Sequence, residues 1–138
     1  MKKISKKSII ALVAALTTML SIAVVTFAGD YVRNPYNAGS TSGYIEVGFN
    51  GCVGYAEVKA DSNVYASVDG YAFCMKDGIY IKSIIYGSFD DDTYGQFSAT
   101  CVNQAHGVYA SFVIVSEDGR FSGTIRKTDL VNWPSYIN

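Results

Sequence analysis

Residues 63–78 read NVYASVDGYAFCMKDG, and the strand count of the whole chain turns on how this stretch is parsed. Val64, Ala66 and Val68 alternate with Tyr65, Ser67 and Asp69, a period of two that belongs to a strand with one apolar and one polar face. Asp77-Gly78 tolerates the positive φ angles of a type I′ turn and predicts a hairpin. Asp69-Gly70 carries the same signal, so the stretch reads either as two strands or as one long strand with a bulge.

Outward from there, the same punctuation recurs at Asn50-Gly51 and Asp118-Gly119. The segments between are 44–49, 52–60, 63–68, 71–76, 79–89, 94–102, 107–117 and 120–128, rich in Val, Ile, Tyr, Phe and Thr. Short connections make consecutive strands antiparallel neighbours. The expectation is an all-β domain, a seven- to eight-stranded antiparallel meander forming a sandwich or barrel. Residues 29–42, with Asn34-Pro35, Asn37, Gly39 and Ser-Thr-Ser, read as an irregular lead-in, leaving 43–138 as the domain.

The first 28 residues carry a different message. Lys2, Lys3, Lys6 and Lys7 precede an uncharged, mostly apolar run from Ser8 to Ala28, and Thr26 and Ala28 place small residues before Gly29-Asp30. This is the pattern of a signal-peptide helix cleaved after residue 28. The run is long enough to span a bilayer, but Thr17, Thr18, Ser21 and Thr26 dilute it and no basic cluster follows. The expected location is therefore secreted or cell-surface, with no membrane attachment after cleavage.

The chain beyond residue 28 keeps seven basic residues (Arg33, Lys59, Lys76, Lys82, Arg120, Arg126, Lys127) against 12 acidic ones, a balance of −5. That excludes the clustered basic surface that nucleic acid requires. Cys52, Cys74 and Cys101 allow at most one intramolecular disulfide. Cys52 aligns with Ala56 and Val58, and Cys101 with Phe97 and Ala99, which favours Cys52–Cys101 and leaves a spare cysteine able to link a dimer. The alternative is three reduced, buried thiols.

Catalytic patterns are sparse, and no cofactor motif is present. His106 is the single histidine and sits in a turn-like stretch; no Gly-x-Ser-x-Gly elbow surrounds a serine. Asp90, Asp91 and Asp92 form a candidate calcium loop, although their spacing is not that of an EF-hand and a solvated strand turn accounts for them equally. Those acids with Glu46, Glu57 or Glu117 are the raw material for a small secreted hydrolase, one alternative function; a bacteriocin-like or toxin effector is another.

Eleven tyrosines stand out. Tyr55, Tyr65 and Tyr109 recur on the polar side of their strands, and Tyr80 sits beside Lys82 in the same way. A tyrosine ring with its hydroxyl suits a protein or carbohydrate surface, whereas tyrosine is also simply a good strand former. The leading expectation is a non-enzymatic secreted domain that recognises an extracellular protein or carbohydrate through Tyr55, Tyr65, Tyr80, Tyr109 and Lys82, with Glu57 and Lys59 at the rim. Trp133, beside Pro134, reads as a plug for the C-terminal segment.

Overall fold

The computed structural model describes residues 30–134, so the signal-peptide reading of residues 1–28 lies outside the described residues. Six strands make one antiparallel sheet: β1 (Asp30–Ala38), β2 (Thr41–Asn50), β3 (Val53–Lys76), β4 (Ile79–Thr100), β5 (Ala105–Val115) and β6 (Arg120–Thr128). The described residues contain no helix. The class is all-β as expected, but there are six strands, not seven or eight.

Three of the expected breaks, at residues 61–62, 69–70 and 90–93, are interior to strands, and with β1 gained they account for the count of six. Asp77 and Gly78 both have positive φ, 51° and 77°, and close the β3–β4 hairpin as a type I′ turn. Asp69-Gly70 instead runs straight through β3 without a register shift, Gly70 facing Ile85 on one side and Ala110 on the other. Glycine is there because a Cβ would strike the Tyr109 carbonyl, not because the chain reverses. Asp90–Asp92 likewise lies inside β4. Residues 60–63 of β3 and residues 90–91 of β4 are the extra residues of two register shifts, and Asp91 takes φ 53°. These bulges bend the long hairpin without ending either strand.

The bend organises everything else. The first part of β3 pairs with β2, and β2 with β1; the second part pairs with β5, and β5 with β6, while β4 follows β3 throughout. Two half-sheets thus share one bent hairpin and face each other across a core that includes Ile45, Val47, Val58, Val68, Phe112 and Ile114. Burying each such side chain contributes about 1.5–3 kcal/mol. β1 then meets β6 at a seam of side chains that nearly closes a barrel. Asp30 lies 3.4 Å from Lys127, the Tyr36 and Phe121 rings meet at a tilt with centroids 5.2 Å apart, and the Ser116 hydroxyl donates to the Ala38 carbonyl at 2.6 Å.

Strand β1 overturns the irregular lead-in. Its ladder to β2 runs unbroken from Asp30↔Phe49 to Ala38↔Thr41. An edge strand tolerates Pro35 and polar residues because only one of its sides must pair.

The disulfide also differs from the expected pair. Cys74, near the end of β3, bridges Cys101, just past β4, with Cα atoms 5.5 Å apart. Cys52 belongs to the β2–β3 turn, where strand alternation no longer sets direction, and it is a free, exposed thiol. Its carbonyl accepts from the Cys101 amide at 2.6 Å, so the neighbourhood was right and the partner wrong.

Candidate functional site

Turn arithmetic places the tyrosine-bearing outer face in two separate clusters. Counting back from the tight β2–β3 turn pairs Glu46 with Glu57, and counting from the β1–β2 turn pairs Arg33 with Glu46. Both carboxylates point away from the apolar core, yet their relative exposures are 0% and 1%. Neighbouring polar side chains cover them. Tyr55 donates to Glu46 Oε1 at 2.7 Å, and Arg33 Nε donates to Glu46 Oε2 at 2.6 Å. Glu57 accepts from Tyr44 at 2.8 Å, Tyr94 at 3.1 Å and the Gln96 amide at 3.0 Å. The Arg33 guanidinium lies 3.9 Å from the centre of the Tyr44 ring.

Buried carboxylates survive only where donors compensate for lost water. Here each has at least two, and the hydroxyls are held protonated in return. Burial, then the bond to Glu57, pushes Tyr44 up to about 12. Burial first and the neighbouring glutamates second raise Tyr55 and Tyr94 well above the usual phenol range. Tyr55 is fully buried and Glu57 with it, so neither belongs to an exposed recognition face or its rim. This polar cluster is a closed, self-satisfied unit.

The second cluster lies on the outer face of the other half-sheet and is open. One row across the strands reads Arg126 on β6, Tyr109 on β5, Tyr71 on β3. The next places Lys82 of β4 opposite Phe73 of β3. Tyr71 and Tyr109 stack with centroids 5.5 Å apart; Trp133 meets Phe73 edge-on at 4.8 Å and Tyr71 at 6.3 Å. Lys82 Nζ stands 4.4 Å above the Tyr71 ring, and the Arg126 guanidinium 5.4 Å from the Trp133 ring. Tyr71, Tyr109, Arg126 and Trp133 line a shallow cleft of about 220 Å³. Among the described residues, neither Lys82 nor Arg126 has an ion-pair partner.

Against known protein families, curated proteins and solved structures, this chain finds no match. The residues alone must carry the functional reading.

Of the expected recognition residues, the fold gathers Tyr109 and Lys82 in the open tray and puts Tyr80 at its border, edge-on to Phe73 at 5.5 Å and to His106 at 5.7 Å. His106 itself faces Asp129 at 3.3 Å. Tyr65 is 41% exposed on the same face but six residues along β3 from Tyr71, about 20 Å away at strand rise. Tyr71 and Phe73 were missed because their register against β5 depends on the unbroken β3, and Arg126 because nothing local to the expected β5–β6 hairpin marks it. Trp133, expected as a C-terminal plug in preference to a ligand platform, packs edge-on against Phe73 and also forms one wall of the cleft.

The acidic residues are spread out. Asp91 accepts from the Asn63 amide at 3.0 Å and Asp92 from the Thr93 amide at 2.7 Å. No group of three or more His, Cys, Asp or Glu among the described residues is placed to hold a metal ion. A larger polar hollow, about 700 Å³, opens where the β1–β2 and β5–β6 turns meet, lined by Ser40, Thr41, Ser62, Asn63, Glu117 and Asp118. Much of its polarity is internally used: Asp118 accepts from the Ser40 amide at 3.0 Å, and the Thr41 and Ser62 hydroxyls share a bond of 2.8 Å.

Proposed function

We propose that this protein is a small exported β-domain that acts by recognition of an extracellular protein or carbohydrate, with the Tyr71–Tyr109–Trp133 tray as its contact surface. The observation that carries this reading is the pairing of half-buried aromatic rings with two unneutralised cations around one cleft. Aromatic rings held rigid by their neighbours offer large contact area at small entropic cost. Export is supported by the basic and apolar pattern of residues 2–28. Weighing against a hydrolase built on Glu46 and Glu57 is the absence of any free edge on those carboxylates: donors surround both.

Trp133 is the single tryptophan, so its fluorescence reports the cleft directly. Titrating the domain with panels of soluble oligosaccharides and surface proteins should find at least one ligand that shifts this emission. The double variant Tyr71→Ser, Tyr109→Ser should lose the response while remaining folded. Undiminished binding in that variant would move the contact surface elsewhere. Intact mass of protein from the culture medium should correspond to a chain beginning at Gly29; recovery of the full-length chain in membranes alone would overturn export as a free domain.

A further inference from the structure

Building on the recognition reading above, we infer that the tray takes an acidic oligosaccharide, its sugar rings lying on Tyr71, Tyr109 and Trp133 and its carboxylates reaching Lys82 and Arg126. The two cations are what select the ligand. A chain with a balance of −5 places both on one aromatic floor, and among the described residues neither has a carboxylate partner. Asp69 on the same face is two residues along β3 from Tyr71, about 7 Å at strand rise, and Asp129 at the border is taken up by His106 at 3.3 Å. The rings beneath Lys82 and Arg126 position these charges without neutralising them, since a ring quadrupole carries no net charge.

The spacing argues for more than one sugar. Arg126 sits on β6 and Lys82 on β4, with β5 and β3 between, three strand spacings or about 14 Å at the backbone. With Lys82 Nζ over Tyr71 and the Arg126 guanidinium beside Trp133, a short chain can lie along the tray and present an acid to each cation. The planar Arg126 fork suits a carboxylate taken with two parallel hydrogen bonds, and Lys82 serves as a point charge. An anionic lipid surface has similar headgroup chemistry but is extended, and would face the repulsion of the whole acidic domain. A short oligosaccharide meets only the tray.

The test uses tetragalacturonate against the neutral maltotetraose, read by Trp133 fluorescence at low salt. Tetragalacturonate should bind at least tenfold more tightly, and raising ionic strength toward 1 M should erase most of that advantage as charges are screened. In Lys82→Gln, Arg126→Gln the preference should vanish. Equal affinity of the wild-type domain for the two sugars, or a preference that persists in the double glutamine variant, would overturn acidic selectivity while leaving recognition by the tray intact. Tight binding unaffected by Tyr71→Ser, Tyr109→Ser would instead remove the tray itself. Cosedimentation with phosphatidylserine vesicles, without any response to tetragalacturonate, would overturn the proposal in favour of a membrane surface.

Discussion

The two outer clusters are built from the same residue type and end in opposite conditions. Around Glu46 and Glu57, tyrosine hydroxyls point inward to buried acceptors and Arg33 pairs with Glu46. Around Tyr71 and Tyr109, rings stack edge by edge and the cations beside them lack acceptors among the described residues. The difference lies in what each ring reaches. Tyr44, Tyr55 and Tyr94 extend their hydroxyls to the Glu46–Glu57 pair and become part of a polar core; Tyr109, directly opposite Tyr71 and Arg126, remains a surface. Alternation alone assigns both to the same side of the sheet, and the partner strand decides what that side does.

The sharpest way to break this comparison is to remove an acceptor from the first cluster. Glu57→Ala removes the acceptor shared by the Tyr44 and Tyr94 hydroxyls and the Gln96 amide, and losing one member of a buried charged network should cost about 3–5 kcal/mol. Urea denaturation measures it; a loss under 1 kcal/mol would mean that water reaches the carboxylate and the cluster is not closed.

Cys74→Ser with Cys101→Ser removes a bridge spanning a sequence separation of 27, worth about 3–4 kcal/mol by loop closure. The unaltered protein, denatured without reductant, should titrate one thiol per chain, that of Cys52. Three thiols would dissolve the bridge, and a Cys52-linked dimer on a non-reducing gel would show the spare thiol in use.

Alkali should attack the first cluster selectively. Because burial raises Tyr44 from 10 to about 12, its neutral form is favoured in the folded state. That contribution is complete below pH 10 and disappears as pH climbs through about 12, where ionisation pulls the chain toward the unfolded state. Tyrosinate absorbance and far-ultraviolet circular dichroism should therefore change together above pH 10. Tyrosinate appearing across all eleven tyrosines at ordinary phenol pH, with the fold intact, would contradict the buried network.

Smaller effects sharpen the contrast. Tyr36 has a buried hydroxyl without a hydrogen-bond partner among the described residues, so Tyr36→Phe should stabilise by about 1 kcal/mol, where Tyr55→Phe should destabilise by a similar amount. Smallest of all, Arg126→Gln on the open tray should shift stability by no more than about 0.5 kcal/mol. A large fall in melting temperature would turn the tray into a second polar core.

What the sequence made legible follows from these particulars. The all-β class and the Asp77-Gly78 hairpin were readable because alternation and turn chemistry are local. Asp69-Gly70 and Asp90–Asp92 misled because the same residues serve turns, close strand approach and bulges, and only the neighbouring strand tells these apart. The lead-in concealed β1 because its burial is concentrated at Tyr36 and Ala38, near its end. Glu46 and Glu57 were visible as candidate acids, and their pairing could have been counted from Asn50-Gly51; Arg33 could not, once β1 was read as irregular. Tyr80, Tyr109 and Lys82, singled out by alternation, lie on one face of the sheet. Tyr55 was assigned to that surface because parity says nothing about what covers a side chain.

The β1–β6 seam has a practical consequence. With Asp30 and Lys127 3.4 Å apart, the first and last strands are neighbours, and a short linker could splice them. New termini could then be opened at Asp77-Gly78, where the backbone is exposed and a Cβ at Gly78 would meet nothing. In such a circular permutant the Cys74–Cys101 bridge would still fasten β3 near its new end, so the tray could be grafted into a host loop by either set of ends.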